Sequence, residues 1–152
     1  MAIDKEIHQY NFLNEHQRAS INLLFTYGWV MERIKDFLKP ANITPQQFNI
    51  LRILRGAHPK PLSTLQIRDR MLDKMSDTSR IVDRMLVKGY VNKFTSQKDR
   101  RLVDIIISPK GRKILEKLDT RQAELDGILS NISEKEAVTL SKLLDKIRNG
   151  GE

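Results

Sequence analysis

Apolar residues recur at intervals of three and four positions over most of this chain, which is the pattern of amphipathic helices. The first stretch spans residues 11–38 and predicts one long helix with a bend near Gly28. Two further stretches, residues 108–129 and residues 133–147, predict helices at the other end of the chain. In the last helix, the side chains expected to face inward are Val138, Leu140, Leu143, Leu144 and Ile147.

Capping residues mark two helix starts in the middle of the chain. Thr44, Pro45 and Gln47 combine an N-cap, a proline suited to the first helical position and the glutamine of a capping box. Residues 63–66 repeat the capping box and predict a short helix that ends near Met71. The buried face of the first of these helices is expected at Phe48, Leu51, Ile53 and Leu54.

A third short helix follows and begins within residues 74–76. Asp73 and Ser76 are alternative caps for it, and the pattern does not choose between them. The helix ends at Lys88, because Gly89 favours the left-handed conformation that terminates helices. Its packing face is expected at Ile81, Val82, Met85 and Leu86.

Residues 90–95 and 102–107 are rich in β-branched and aromatic residues and predict a pair of antiparallel strands. Short helices followed by a hairpin are typical of a winged helix-turn-helix. The predicted fold is therefore mainly α with a small β-hairpin, in one integrated domain. Within it, residues 1–40 supply an N-terminal dimerisation helix, residues 41–112 form the winged helix-turn-helix, and residues 113–152 form C-terminal dimerisation helices.

Composition supports an interface at the terminal helices. Apolar residues make up 39% of the 152 residues, which is modest for a chain that must form its hydrophobic core without a partner subunit. No stretch reaches the roughly 18 apolar residues of a membrane span, and the polar N-terminus is unlike a signal peptide. The absence of cysteine excludes disulfides, thiolate metal sites and thiol redox switches. A cytoplasmic protein without membrane contact is expected.

The net charge of +8 is concentrated in one part of the chain. Residues 60–112 carry 13 Lys or Arg against 6 Asp or Glu, a net charge of +7. The net charge is +2 over residues 1–59 and −1 over residues 113–152. A localised positive field suits a polyanion, because neutralised phosphates release condensed counterions. The charged segment is the one that carries the helix and hairpin pattern.

The outer face of the third short helix carries polar and basic side chains. Hydroxyls at Thr78 and Ser79 can bond base edges or phosphates, and Arg80 can hold a guanine by two hydrogen bonds. Arg84 lies one turn further along, where phosphate contact is expected. In the alternative interpretation, Asp83 pairs with Arg84 or Arg80 and the charges form a solvated helix face.

The hairpin tip carries three cations, Lys98, Arg100 and Arg101. An arginine at such a tip can enter a narrow minor groove, where the negative potential is enhanced. Asp99 is unsuited to DNA contact, so it is expected to accept hydrogen bonds from the turn backbone or to orient a neighbouring arginine. The alternative is a charged tip that serves solubility.

The sequence gives little indication of a metal-binding, phosphate-binding or catalytic site. The three histidines lack metal-ligand spacing, and no phosphate loop or catalytic constellation is present, so no metal, cofactor or enzymatic activity is expected. Tyr27, Trp29 and Met31 lie close together near Gly28 and are candidates to line a pocket for an aromatic anion. The alternative for these three residues is ordinary core or dimer packing.

In combination, residues 77–85, 88–91, 99–101 and 108–111 resemble the multiple antibiotic resistance regulator (MarR) family. The shared features are a Ser/Thr-Arg-hydrophobic-Val-Asp-Arg helix, its Lys-Gly exit, an Asp-Arg-Arg wing and a Ser/Thr-x-Lys-Gly helix start, in this order. The resemblance is close over roughly residues 44–120. Family wings commonly begin with an acidic residue, whereas this chain has Ser96.

The resemblance implies an all-helical homodimer with a winged helix-turn-helix in each subunit. It also implies transcriptional regulation, usually repression, that is relieved by a small ligand. Carried over by position, the implied DNA contacts are Ser63, Thr64, Asp77, Thr78, Ser79, Arg80, Arg84, Lys98, Arg100 and Arg101, with Asp99 structuring the wing. The expected dimerisation residues are Leu13, Leu125, Ile128, Leu140, Leu143, Leu144 and Ile147.

The sequence therefore predicts a cytoplasmic, dimeric regulator whose partners are double-stranded DNA, a second copy of itself and a small effector. Terminal helices would space two recognition helices by about one DNA turn, roughly 34–36 Å, on a pseudo-palindromic operator. The alternative is a winged-helix module that docks proteins without binding DNA. Such modules usually lose the basic wing tip and the polar helix face that this chain keeps.

Overall fold

The computed structural model describes residues 1–150, which form eight α-helices and one two-stranded sheet. They divide into two compact units, an N-terminal unit of Met1–Asp36 and a C-terminal unit that begins at Phe37. The prediction of a mainly helical fold with a small β-hairpin is confirmed. The assignment of the chain to three functional segments stays a prediction.

The elements follow one another along the chain with short connections. The helices are α1 (Ile3–Glu6), α2 (Glu15–Leu38), α3 (Pro45–Ala57), α4 (Thr64–Arg70), α5 (Thr78–Val87), α6 (Pro109–Asp119), α7 (Gln122–Asp126) and α8 (Glu134–Asn149). The strands are β1 (Val91–Thr95) and β2 (Val103–Ile107). Two short 3₁₀ turns cover Lys39–Ala41 and Gly127–Leu129. The sequence pattern did not predict α1, and α2 runs without interruption through Gly28.

Four helices begin where their capping residues predicted. Thr44, Ser63 and Ser133 each form a complete capping box, in which the cap side chain accepts from the third helical residue and that residue's side chain accepts from the cap nitrogen. Ser108 accepts from the backbone nitrogen of Gly111 and is followed by proline at the first helical position. These starts were predictable because every group involved lies within four residues.

The start of α5 differs from the prediction. Neither Asp73 nor Ser76 caps this helix; the carboxylate of Asp77 accepts from the backbone nitrogen of Arg80 at 3.2 Å. Asp73 and Ser76 instead bond to each other, because the Ser76 hydroxyl donates to the Asp73 carbonyl at 2.8 Å. The two expected caps therefore build the turn that precedes the helix.

The long helix expected over residues 108–129 is interrupted after Asp119. At the interruption, the Thr120 hydroxyl donates to the carbonyl of Lys117 at 2.6 Å. Arg121 donates to the Phe37 carbonyl at 2.9 Å, and its guanidinium lies 4.7 Å from the centre of the Phe37 ring. The contact with Phe37 draws the chain away from the helix axis, so α6 ends and α7 begins.

The two strands form an antiparallel hairpin whose register runs from Val91 opposite Ile107 to Thr95 opposite Val103. A third segment joins this sheet at the middle of β2. Leu62, just before α4, exchanges two backbone hydrogen bonds with Ile105 of β2, at 3.0 and 2.8 Å. These bonds fix the position of the hairpin beside the start of α4.

The core of the C-terminal unit is built from α3, α4, α5, β2 and α6. Its fully buried side chains include Ile50, Leu51, Leu54, Leu62, Ile67, Met85, Ile105 and Leu115. In α3 the buried face is Gln47, Ile50, Leu51 and Leu54, so the expected burial of Phe48 and Ile53 is corrected to half-burial. Phe48 packs edge-on against Phe37, with ring centres 6.2 Å apart. In α5, Val82 and Met85 are buried as expected, whereas Ile81 and Leu86 are half-buried.

The junction between α5, the hairpin and α6 is tightly packed. Gly89 ends α5 with a φ of 76°, as its identity predicted. The Ser108 hydroxyl donates to the Gly89 carbonyl at 2.6 Å and accepts from the Gly111 nitrogen at 3.0 Å. Gly111 is buried against the carbonyl of Tyr90. The start of α6 is thus held against the end of α5.

The apolar side chains of α8 do not face inward. No residue of α8 is buried, and Val138, Leu140, Leu143 and Ile147 are exposed while Leu144 is half-buried. The prediction that this face packs inside the subunit is wrong for a single chain. None of the helices within residues 1–150 combines the length and the apolar content that crossing a bilayer requires.

Candidate nucleic-acid interface

The outward face of α5 presents two arginines, Arg80 and Arg84, both exposed. Within residues 1–150, neither guanidinium lies within 4 Å of a carboxylate. Asp83, which was an alternative partner for both, lies 3.8 Å from the ammonium group of Lys93 on β1. The interpretation in which Asp83 neutralises the arginines of its own helix is therefore wrong, and both cations are available to an anion.

Thr78 does not belong to this exposed face. Thr78 is only 3% exposed, and its hydroxyl oxygen is buried without a hydrogen-bond partner. A base edge cannot reach a hydroxyl in that position, so the assignment of Thr78 to DNA contact is corrected. Ser79, the next residue, is exposed. Asp77 is exposed too, but its carboxylate already caps α5.

The hairpin tip, which we call the wing, is organised by Asp99. Its carboxylate accepts from the backbone nitrogen of Arg101 at 3.0 Å and from two guanidinium nitrogens of Arg101, each at 3.2 Å. The side-chain hydrogen bond from Arg101, followed by the backbone one, holds the pKa of Asp99 below its usual value. Asp99 thus makes both kinds of contact that were considered for it, with the turn backbone and with a neighbouring arginine.

The other wing residues surround this pair. Ser96, which stands where family wings commonly have an acidic residue, is buried, and its hydroxyl accepts from the backbone nitrogens of Lys98 and Asp99. A neutral hydroxyl thus supports the turn. Lys98 and Arg100 are exposed, and neither has an acidic partner within the described part of the chain. The tip consequently presents its cations to solvent.

One groove joins α4, α5 and the base of the wing. This recognition groove has a volume of about 560 Å³ and is lined by residues 63–65, Arg68, residues 75–79 and residues 101–103. It brings together five of the residues still assigned to DNA contact, Ser63, Thr64, Asp77, Ser79 and Arg101, beside the buried Thr78. The groove therefore gathers residues from three separate elements on one side of the C-terminal unit.

The N-terminus of α4 forms one wall of the recognition groove. Ser63 and Thr64 are half-buried there, and the Ser63 hydroxyl is occupied by its capping bond to the nitrogen of Gln66 at 3.1 Å. The backbone of this turn, rather than the Ser63 hydroxyl, is therefore the group available to bind a phosphate. Contact of these two residues with DNA stays a prediction.

Known proteins resemble this chain in both sequence and fold. The sequence model of the MarR family matches residues 43–103. The multiple antibiotic resistance protein MarR of Salmonella typhimurium is 27% identical over 116 residues, which is 75% of this chain and 79% of that relative. The chain is similar to the MarR family of transcriptional regulators over residues 43–103. The expectation of a regulator rather than an enzyme agrees with these similarities, since the relatives are named as regulators.

Solved structures show that the MarR fold extends over nearly the whole chain. A mutant of Escherichia coli MarR in complex with operator DNA superposes with a TM-score of 0.79 at 22% identity, covering 91% of this chain and 99% of that protein. BpsR of Bordetella bronchiseptica, whose DNA binding is regulated by 6-hydroxynicotinic acid, gives a TM-score of 0.79 at 16% identity, with 91% and 99% covered. The winged helix-turn-helix prediction is confirmed by these matches.

The sequence assigned no DNA-binding role to six residues of the recognition groove, among them Arg68 and Met75. Arg68, on α4, was counted in the basic segment but assigned no role. Met75 precedes α5 and gave no signal, since an isolated methionine has no characteristic spacing. Conversely, four residues that were predicted to touch DNA lie outside the groove lining: Arg80, Arg84, Lys98 and Arg100.

The candidate ligand pocket on α2 stays a prediction. Tyr27 is exposed, and Trp29 and Met31 are half-buried. The guanidinium of Arg33 lies 3.4 Å from the centre of the Trp29 ring, close enough for a cation–π contact. An aromatic surface and a cation are thus adjacent on this helix, which is compatible with an anion but equally with packing.

Proposed function

We propose that this MarR-family regulator binds duplex DNA as a homodimer, with α5 in the major groove and the wing over the adjacent minor groove or backbone. The observation that carries the proposal is the pair of exposed arginines on α5, which lack an acidic partner within residues 1–150. Unpaired cations on a helix that is exposed along one side match the negative, hydrogen-bonding floor of the major groove. In the complex named above, the E. coli relative holds operator DNA.

Two arginines are assigned different tasks in this proposal. Arg80 lies in the first turn of α5 and is proposed to read a base edge, because the N-terminal residues of a recognition helix approach the bases. Arg101 lies in the wing, where its guanidinium donates to the Asp99 carboxylate, and it is proposed to bind backbone phosphate. The first contact would give sequence preference, and the second would give affinity for any duplex.

For Arg101→Ala, we expect weaker binding to every duplex with unchanged sequence preference. Each lost phosphate contact should flatten the slope of log affinity against log salt by about 1, hence by about 2 for a dimer. The matched control is Arg55→Ala, because Arg55 also forms a two-pronged ion pair with an aspartate, at 2.6 and 3.2 Å from Asp119, away from the groove. Fluorescence anisotropy across a salt series measures both slopes; an unchanged slope for Arg101→Ala would refute the phosphate assignment.

The homodimer is proposed from exposed apolar side chains on the terminal helices. Leu143 on α8 is 54% exposed, and Leu140 and Ile147 on the same helix are exposed as well. Leu13, in the N-terminal unit, is also exposed, whereas Leu125, Ile128 and Leu144 are half-buried. Several large apolar groups on one helix are costly to leave in water, and a second copy of the chain would cover them.

For Leu143→Glu, we expect the dimer dissociation constant to rise at least about tenfold, because a charge would have to enter an apolar interface. The fold of the subunit should persist, since this side chain is half in solvent already. The matched control is Ser141→Glu, which adds the same charge at an exposed polar position of α8. Analytical ultracentrifugation at several concentrations compares the variants, and equal association of both would contradict the assignment of α8 to the interface.

Repression and ligand control complete the proposal. Repression is the usual activity implied by the family resemblance, and a ligand would act by favouring one arrangement of the dimer over another. BpsR provides a relative in which a small aromatic acid regulates DNA binding. For this chain we propose a small organic anion as effector, with Tyr27, Trp29 and Met31 as candidate contacts.

The experiment that tests the whole proposal is selection of duplexes from a random pool, followed by footprinting on the selected sequence. A homodimer with two α5 helices should protect a pseudo-palindrome with half-sites about one turn, roughly 34–36 Å, apart. Selection of unrelated sequences, or protection of a single half-site, would refute it.

A further inference from the structure

The turn between α4 and α5, residues 71–77, exposes two large apolar side chains. Leu72 is 88% exposed and Met75 is 93% exposed. Single exposed apolar residues are ordinary on protein surfaces, so exposure alone assigns no role to either of them. What distinguishes the two is where the turn places them.

The turn holds its shape through hydrogen bonds between its own backbone and nearby side chains. The backbone nitrogen of Leu72 donates to the side-chain oxygen of Asn49 on α3 at 2.9 Å. The backbone nitrogen of Met75 donates to the carboxylate of Asp73 at 3.0 Å, and the Ser76 hydroxyl bonds the Asp73 carbonyl. Three hydrogen bonds thus hold the turn, one of them donated by Met75 itself, and the Met75 side chain extends into solvent.

Met75 lines the recognition groove, and Leu72 does not. It lies two residues before the cap of α5, on the same groove as Ser79 and Arg101. The N-terminal end of a recognition helix is the part that approaches base edges. The other groups of the recognition groove near Met75 suit polar and charged partners. An apolar side chain in that position suits an apolar group on the DNA.

The major groove offers one apolar feature, the C5-methyl group of thymine. Methionine is unbranched and polarizable, so it adapts its side chain to such a group. We propose that Met75 contacts a thymine methyl group at the end of each half-site read by α5, and that it is a specificity-determining residue. This inference rests on the proposed DNA-binding function and adds a recognised base to it.

Deoxyuridine substitution tests the contact atom by atom. Starting from the operator selected by the wild-type dimer, each thymine of a half-site is replaced in turn by deoxyuridine, which removes the methyl group and keeps every hydrogen-bonding group. At one position, we expect wild-type affinity to fall about fourfold per half-site, as for one lost methyl-sized contact. Met75→Ala should bind the thymine operator about as weakly as wild type binds the uracil operator, with no further loss on uracil. Met75→Leu should retain most of the difference.

Leu72→Ala is the matched control, because Leu72 is an equally exposed apolar residue of the same turn outside the groove. It should bind both operators as wild type does. The inference is overturned if Met75→Ala keeps the full thymine preference, or if no thymine in the half-site responds to loss of its methyl group. Failure to select any duplex would overturn the proposed function and this inference together, whereas a selected operator whose binding ignores Met75 would overturn the inference alone.

Discussion

Replacing Arg80 with alanine is expected to abolish most operator recognition while leaving the fold intact. A two-pronged arginine–guanine contact is worth about 1–3 kcal/mol, and a dimer loses it at both half-sites, so operator affinity should fall at least about 30-fold. Because Arg80 is exposed and has no acidic partner within residues 1–150, no internal ion pair is lost. Anisotropy titrations on the selected operator and on a scrambled duplex measure the loss, which should be much larger on the operator.

Arg80→Lys is the control that separates base reading from charge. Lysine keeps the positive charge but cannot donate in the same two-pronged geometry. It should therefore bind the scrambled duplex as wild type does, yet lose most of the preference for the operator. Equal operator binding by Arg80→Lys and wild type would show that Arg80 acts as a phosphate-binding charge, and the assignment of α5 to base reading would then fail.

Replacing Gly111 with alanine is expected to give the largest loss of stability of any single methyl group added to this chain. The added Cβ would lie 2.3 Å from the Tyr90 carbonyl oxygen, 3.0 Å from Ile107 and 3.1 Å from Leu51. The first neighbour is backbone, and it already accepts from the Ser108 nitrogen at 3.1 Å, so it cannot move away without breaking that bond. We expect a loss of about 3 kcal/mol, at the upper end for overpacking. For a domain of this size the melting temperature should fall by roughly 6–12 °C.

Gly56→Ala is the matched control for Gly111→Ala. Gly56 also lies in a helix, α3, but an added Cβ there would meet no atom within 4 Å. Alanine favours helices over glycine by up to about 1 kcal/mol, so the melting temperature should stay the same or rise slightly. Calorimetry on both variants measures the two melting temperatures. If Gly111→Ala melts with the wild type, the start of α6 is not packed against the end of α5 as described.

Local signals in the sequence predicted the parts of the fold that depend on neighbouring residues. The caps at Thr44, Ser63 and Ser133 were predictable because cap and partner lie three residues apart. The end of α5 at Gly89 was predictable from the conformational freedom of glycine. By contrast, neither of the two candidate caps of α5, Asp73 and Ser76, caps the helix, because the hydrogen bonds of the finished turn place Asp77 there instead.

Features that depend on distant residues were not predictable from these patterns. The interruption between α6 and α7 involves Arg121 and the carbonyl of Phe37, which is 84 residues away. Thr78 was assigned to the outer face by its polarity, yet it is buried, because side-chain identity does not report which way the first turn of a helix faces. The apolar side chains of α8 were expected to face inward, and four of them were also assigned to dimerisation; within one chain this face is not buried.

The candidate interface was predicted in its charge but not in its shape. The positive segment and the arginines of α5 and the wing are properties of composition and spacing. The groove depends on the close approach of α4, α5 and the hairpin, which places Arg68 and Met75 on its walls. Neither residue belongs to a motif, so their positions required the fold.

The paired bonds between Leu62 and Ile105 have a mechanical consequence for this regulator. They tie the middle of β2 to the segment that leads into α4, so the two cannot separate without breaking both bonds. The tip of the hairpin, beyond Thr95 and Val103, lies past this attachment. The hairpin and α4 therefore approach a double helix in a fixed relative alignment, and local differences in groove width are left to the hairpin tip.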